Sequence, residues 1–240
     1  VVLGYTPRVA GGDGIAVVIP ALDEAARIGA CLESVGTGAD EIVVVDGGSR
    51  DGTARVAAGY PGVRVLTGAR GRGPQLDLGA RATSAPLLLF LHADCRLPRG
   101  WAPAVREALA EPGVALACFR LHTEPSRPGA GRLRRAWLRL LDLRSRGFGL
   151  PYGDQAYAVR REVYRRIGGF PAIPLMEDVA FARAARRVGR IRRIPLEVRT
   201  TARRFERHPV RARLATATFP ILFRLGVSPW TLARWYREVR

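Results

Sequence analysis

Four short apolar runs in the first half of the chain, at residues 16–20, 41–46, 63–67 and 87–92, alternate with helical patterns at about 24–35, 53–58 and 75–83. Alternation of this kind predicts βαβ units around a parallel sheet. Each run stops abruptly in polar or small residues: 20–24, 46–51, 68–73 and 92–94. Parallel strands leave a sheet at one edge, so these four segments are expected to converge there, where open α/β sheets bind their ligands.

The most informative of them is Glu-Ile-Val-Val-Val-Asp-Gly-Gly-Ser-Arg-Asp-Gly-Thr, residues 41–53. Ile42, Val43, Val44 and Val45 read as a strand covered on both faces, and Asp46 emerges at its carboxyl end. Gly47, Gly48 and Gly52 let a backbone approach a ligand closely, while Ser49, Asp51 and Thr53 can cap the following helix. A nucleotide site is commonly built this way; a plain strand, turn and cap is the other reading.

The second half changes character. It offers a strand at 114–121, a basic helix at about 132–144, a loop at 147–155, a strand at 156–160, a helix at 178–188 and a strand-like run at 196–200, then an arginine-rich stretch with two helical segments. The 240 residues suit one large domain with a small appendage. We divide them into a tail (1–14), a main domain (15–205) and a basic helical extension (206–240).

Charge narrows the partners without choosing among them. The 39 basic residues, all arginine, against 21 acidic ones give a net charge of +18. Such a chain attracts polyanions: a phosphorylated substrate, an anionic membrane surface or nucleic acid. Nucleic acid is disfavoured, because the few aromatics do not interleave with the arginines as a stacking platform would. Cys31, Cys95 and Cys118 are odd in number and lack a paired Cys-x-x-Cys, which argues against a disulfide framework or structural zinc. No apolar run approaches the ~20 residues that span a bilayer, and a signal peptide pattern is lacking. A cytoplasmic protein is expected, soluble or peripheral on the inner face of the membrane.

Three further segments carry side chains suited to chemistry. His92 and Asp94 stand two apart after an apolar strand, so an imidazole and a carboxylate can share one side of an extended backbone. Such a pair can hold a divalent ion against a diphosphate, the imidazole favouring Mn²⁺ over Mg²⁺; a buried hydrogen bond and a turn cap are the alternative. Arg70 and Arg72 lie between glycines before a helix whose amino end supplies unpaired donors, which suits a phosphate or a pyrimidine edge, or else only a basic surface loop. Glu177 and Asp178 open an amphipathic helix, a rigid mount for a general base and also a favoured place for acidic residues on stability grounds alone. Two basic amphipathic stretches, with Leu133, Trp137, Leu140 and Leu141 on one and Phe219, Phe223, Leu225, Trp230 and Trp235 on the other, suit either packing or a membrane interface.

In order, Pro20-Ala21-Leu22-Asp23-Glu24, Asp46 through Thr53, Gly71-Arg72-Gly73-Pro74-Gln75, His92-Ala93-Asp94, Gly153-Asp154-Gln155, and Gly168-Gly169-Phe170 leading to Met176-Glu177-Asp178 resemble family 2 glycosyltransferases of the GT-A fold over about residues 15–205. The Pro-Tyr-Gly-Asp-Gln and Leu-Met-Glu-Asp-Val segments look most like a small bacterial subfamily associated with arsenosugar biosynthesis and radical enzymes. The resemblance implies an α/β fold of GT-A type, with a Rossmann-like, mostly parallel sheet flanked by helices, a mixed acceptor-side half and a C-terminal helical tail.

The resemblance also implies inverting transfer of a sugar from a nucleoside diphosphate sugar, UDP favoured and GDP the alternative, to a hydroxyl on a small molecule or lipid. Pro20, Ala21, Leu22, Glu24, Asp46, Gly48, Arg72, Gln75, Ala93 and Asp94 would face the donor nucleotide. His92 and Asp94 would hold Mn²⁺ or Mg²⁺, with His92 standing where the family has its first aspartate, which puts metal dependence in question. Asp178 would be the base beside Glu177, and Gly153, Asp154 and Gln155 would line the acceptor side. The processive Gln-x-x-Arg-Trp signature is missing, with only Ala202-Arg203-Arg204-Phe205 in a similar place, so one sugar per cycle is expected. Two other classes compete: a sugar-1-phosphate nucleotidylyltransferase, which would show a Gly-rich loop with Arg and Lys after the first strand, and a basic nucleic-acid-binding protein.

Overall fold

The computed structural model describes residues 12–126, 129, 131–147, 149–203 and 209–237. Most of the expected tail, together with Arg204 and Phe205, lies outside them. Among the described residues seven strands form one sheet: β1 (Ile15–Ala21), β2 (Glu41–Asp46), β3 (Val63–Thr67), β4 (Leu87–Phe90), β5 (Val114–Glu124), β6 (Tyr157–Arg160) and β7 (Arg190–Thr201), in the order β3-β2-β1-β4-β6-β5-β7. The helices are α1 (Ala25–Val35), α2 (Thr53–Ala58), α3 (Arg72–Arg81), α4 (Trp101–Ala110), α5 (Arg132–Asp142), α6 (Arg161–Arg166), α7 (Glu177–Val188), α8 (Pro209–Arg224) and α9 (Pro229–Arg237). The expected mostly parallel α/β sheet is found.

Register positions the functional edge. β1 pairs in parallel with β2, with Ala21 opposite Asp46, and β2 with β3, with Asp46 opposite Thr67. Three strands therefore end level. β4 runs parallel on the other side of β1, so the strand order reverses between β1 and β4 and a crevice opens at their carboxyl ends. β6 is antiparallel to β4, with Tyr157 opposite Phe90. The loop entering β6 therefore reaches the edge that the parallel strands leave. β5 is antiparallel to β6, and β7 is parallel to β5, so the segment after β7 also emerges there.

Both faces of the sheet are covered, as the apolar β1 and β2 require. On one, Ile28, Cys31 and Leu32 of α1, Ala57 of α2 and Trp101 and Val105 of α4 pack on alternate residues of β1 and β4. On the other, Leu76 and Ala80 of α3, Tyr164 of α6 and Phe181 and Ala182 of α7 pack with Phe90 and Phe170. Phe170 stacks on Phe181 at a centroid distance of 4.1 Å, and Phe90 meets Phe170 edge-on at 4.8 Å. This aromatic block lies beneath the start of α7 and fixes its position.

The amphipathic stretches differ from expectation. In α5 Leu138 is the buried leucine, while Leu133 and Leu140 face outward and Trp137 is half-buried; the Leu141 side chain lies outside the described residues. Asp142 anchors the helix end by accepting bonds from the Thr123 N–H (2.7 Å) and hydroxyl (2.6 Å). Along α8 and α9, Phe219 is buried and Phe223 half-buried, whereas Leu225, Trp230 and Trp235 are exposed, so that expected single face is split in two.

All three cysteines are free and buried. Burial holds their thiols well above the usual range, Cys118 at about 12. A thiol whose pKa is raised stays protonated at neutral pH, and the thiolate is the nucleophile. The folded chain is therefore expected to consume no alkylating reagent at pH 7 and three equivalents once unfolded, as read by mass spectrometry.

Candidate active site

On the β1/β2 side of the edge, two loops are clasped by side chains of one bonding to the backbone of the other. Ser49 Oγ accepts from the Asp23 N–H, Thr53 Oγ1 from Glu24, Asp51 Oδ2 from Ala25 and Asp23 Oδ1 from Arg50, each at 2.9 Å. Ser49, Asp51 and Thr53 thus bind the neighbouring loop; the position before α2 belongs to Gly52, in the left-handed region, and of the three expected caps Asp51 serves the helix start, its Oδ1 accepting from the Thr53 N–H at 3.0 Å. The Thr53 hydroxyl and the Ala25 N–H hold the exposed Asp51 carboxyl below its ordinary range. Asp46 is buried, and its Oδ2 accepts from the Gly48 (3.1 Å) and Ser49 (3.0 Å) N–H groups while the Ser49 hydroxyl donates to Oδ1.

Gln75 supports the same edge from below. Its buried amide donates to the carbonyls of Ala21 (2.9 Å) and Val45 (2.7 Å), spanning the ends of β1 and β2. A residue expected to face a nucleotide is thus a strut under Pro20, Ala21 and Leu22. Glu24 is gripped by Arg27 from α1 and by Arg203 from beyond β7, each at 2.7 Å. Arg203 is a site residue that sequence reasoning missed; its one signal is the Ala-Arg-Arg-Phe segment.

The β4 side is organised around Gly153. A Cβ there would stand 3.0 Å from His92 Nε2 and 3.3 Å from Asp178 Oδ2, so this position without a side chain is where the β4 loop, the loop before β6 and the start of α7 meet. The Gly153 N–H donates to Asp178 Oδ2 and the Val179 N–H to Oδ1, both at 2.8 Å. Two backbone donors therefore orient the Asp178 carboxylate, which remains partly open to solvent. Met176, immediately before the helix, has φ +67°, a left-handed conformation costing a non-glycine residue about 1–2 kcal/mol. It persists because Leu175 and Met176 are packed against Phe219 and Leu232.

Glu177 differs from its neighbour. It is 2% exposed and accepts from Arg72 Nε at 2.7 Å, so of the two acidic residues only Asp178 is open to solvent. The Glu177 charge raises the Arg72 pKa, with Asp178, Tyr236 and Asp154 adding to the effect and burial opposing it. Arg72 is thereby placed within electrostatic reach of Asp154 and Asp178. Gln155 is internal: Nε2 donates to the Phe119 carbonyl (2.9 Å), and Oε1 accepts from the Tyr152 N–H (3.1 Å).

His92, Asp94 and Cys95 bring ligand atoms within 4.8 Å of one another. Cys95 is a buried thiol donating toward Asp94 Oδ1 (3.7 Å) and the Asp154 carbonyl (3.8 Å), and sulfur suits soft ions. The imidazole and carboxylate that remain fit a divalent ion of Mn²⁺ or Mg²⁺ type, sharing its other positions with an anionic ligand and water. The site as a whole offers a buried acidic clasp, an arginine, an N/O donor pair and a fixed carboxylate along one edge.

Comparison with known proteins bears on the family and the fold. The sequence model described as Glycosyl transferase family 2 matches residues 16–168. An uncharacterized glycosyltransferase of Mycobacterium tuberculosis is 33% identical over 92 residues, 38% of this chain and 42% of that protein. The glycosyltransferase AglE of Haloferax volcanii is 29% identical over 113 residues, 42% of this chain and 37% of AglE. The chain thus spans less than half the length of these curated relatives. Among solved structures, the mannosyltransferase PcManGT of Pyrobaculum calidifontis, in complex with GDP-Man and Mn²⁺, superposes with a TM-score of 0.62 at 20% identity, covering 98% of this chain and 73% of that one. Glucosyl-3-phosphoglycerate synthase of M. tuberculosis, with Mn²⁺, UDP and glucosyl-3-phosphoglycerate, gives 0.58 at 25% identity, covering 87% and 80%.

Gly73 tests how the Arg72–Glu177 pair is held, because a Cβ there would lie 2.3 Å from the Pro171 carbonyl oxygen. Backbone cannot swing aside as a side chain can. Gly73→Ala is expected to lose about 1–3 kcal/mol in urea denaturation despite the better helix propensity of alanine. Gly73→Ser should behave alike, whereas the exposed Gly12→Ala should change nothing.

Proposed function

The chain belongs to glycosyltransferase family 2, and from that premise we propose that it transfers one sugar from a nucleoside diphosphate sugar to a hydroxyl acceptor, with inversion at the anomeric carbon. The observation that carries the reading is the placing of Asp178, oriented by two N–H groups, beside His92 and across the same edge from the Asp46 clasp. Residues 15–205 form the transfer unit. Pro20, Ala21, Leu22, Glu24, Asp46 and Gly48 receive the nucleoside, with Gln75 bracing them; Arg72, Ala93 and Asp94 face the diphosphate. UDP is the favoured nucleotide and GDP the alternative, in keeping with the ligands of the two structural neighbours.

In the proposed step the acceptor oxygen attacks the anomeric carbon as the bond to the diphosphate breaks, and its proton passes to Asp178. Negative charge then grows on the departing diphosphate. Arg72, held in place by Glu177, opposes that charge. His92 and Asp94 would hold a divalent ion, Mn²⁺ or Mg²⁺, which when bound neutralises the leaving group. Gly153, Asp154 and Gln155 border the acceptor side, where a small molecule or a lipid hydroxyl would enter. The lack of a Gln-x-x-Arg-Trp signature, with only Ala202-Arg203-Arg204-Phe205 in a similar place, supports a single transfer. The Pro-Tyr-Gly-Asp-Gln and Leu-Met-Glu-Asp-Val segments support the finer likeness to the arsenosugar-associated subfamily.

Asp178→Asn is expected to lower kcat by about 10²- to 10⁴-fold while donor binding is kept. A variant turning over at the wild-type rate removes Asp178 from the role. NMR of the product should show the opposite anomer to the donor, and retention would refute the displacement. Release of pyrophosphate in place of nucleoside diphosphate would make the enzyme a nucleotidylyltransferase. Mn²⁺ with UDP at about a hundred times Kd should add about 2.7 kcal/mol of stability, an increment that Asp94→Asn is expected to remove.

A further inference from the structure

The last two helices turn one apolar face into the protein and another out of it. Phe219 of α8 and Leu232 of α9 are buried against Leu175, with Met176 and Tyr236 packed around them. On the opposite side of α8, Leu214, Ile221 and, just beyond its end, Leu225 follow at intervals of seven and four residues, which places them on one helical face. They are 58%, 57% and 77% exposed, and α9 adds Trp230 and Trp235 at 63% and 45%. So many large apolar side chains along one short hairpin mark an interaction surface.

Charge identifies the occupant. Residues 209–237 contain five arginines and no carboxylate, and Arg224 and Arg234 are exposed among the apolar residues. Tryptophan and leucine flanked by arginine match a layer that is apolar below and anionic above. A second copy of this chain would present the same arginines to these, so like charge opposes self-association. No helix among the described residues is long and apolar enough to cross a membrane, so the surface suits lying in the headgroup plane.

We propose that α8 and α9 form a docking face for an anionic lipid bilayer, with Ile221, Leu225, Trp230 and Trp235 entering the interface and Arg224 and Arg234 meeting phosphate headgroups. The inner side of the same hairpin holds Leu175 and Met176, adjoining Asp178, so docking sets the candidate site beside the bilayer surface. This holds whatever reaction the site performs.

The test uses the full chain and vesicles of phosphatidylcholine alone or mixed with phosphatidylglycerol, read by co-sedimentation and tryptophan emission. Binding is expected only to the anionic vesicles, with a blue shift, and should weaken as salt rises. Ile221→Ser/Leu225→Ser/Trp230→Ser/Trp235→Ser should partition at least about tenfold more weakly with an unchanged Tm. Arg224→Glu/Arg234→Glu, which leaves every apolar contact in place, should lose about tenfold or more. Equal binding to both vesicles, no binding to either, or both variants binding like wild type would overturn the proposal. So would a dimer in sedimentation velocity that the serine variant dissolves, which would assign the face to a second copy.

Discussion

The contact on which the site depends is the hydrogen bond from the Gly153 N–H to Asp178, made where no side chain intervenes. Three segments distant in sequence meet at that point, and each is aimed by a different rule of the fold. The His92 loop follows a parallel strand out of the sheet. Gly153 enters from the opposite direction because β6 is reversed. Asp178 arrives on a helix whose starting angle is set by the aromatic block of Phe90, Phe170 and Phe181. One reversed strand therefore converts an ordinary nucleotide-type edge into one carrying a second set of functional groups.

How much of this could be read beforehand follows from which forces acted locally. β2, α2 and β3 match their expected bounds, because continuous apolar runs bounded by Gly and Asp depend little on distant context. The first half of β7 was not foreseen. It is an edge strand whose Arg-Ile-Arg-Arg-Ile run breaks strict alternation, and its register slips so that Ile194 faces Phe119 while Glu197 faces Arg120, leaving Pro195 and Leu196 in the irregularity. α6 was missed because its sequence is so charged. Arg161 is accommodated by spending its guanidinium on the carbonyls of Ala80 and Ala85, partners some eighty residues upstream.

Within the site, residue type was legible and partnership was not. Nothing near Gln75 announces that its amide bridges two strand ends, nor near Glu177 that Arg72 would take it and leave Asp178 as the presented carboxylate. Such pairings arise from tertiary packing, which periodicity does not encode. The surplus of arginine is likewise double in its use: Arg72 and Arg203 are ion-paired cations within the site, while Arg224 of α8 and Arg234 of α9 are exposed among apolar residues.

The Glu24–Arg203 pair joins residues 179 positions apart. At synthesis rates of about 5–20 residues per second, roughly ten to thirty-five seconds separate their appearance from the ribosome. Throughout that interval a nascent chain has the acidic loops of β1 and β2 but neither Asp178, for most of it, nor the arginine that closes over Glu24. Translation order thus leaves the Glu24 loop without its distal cation until the last strand of the sheet has been made.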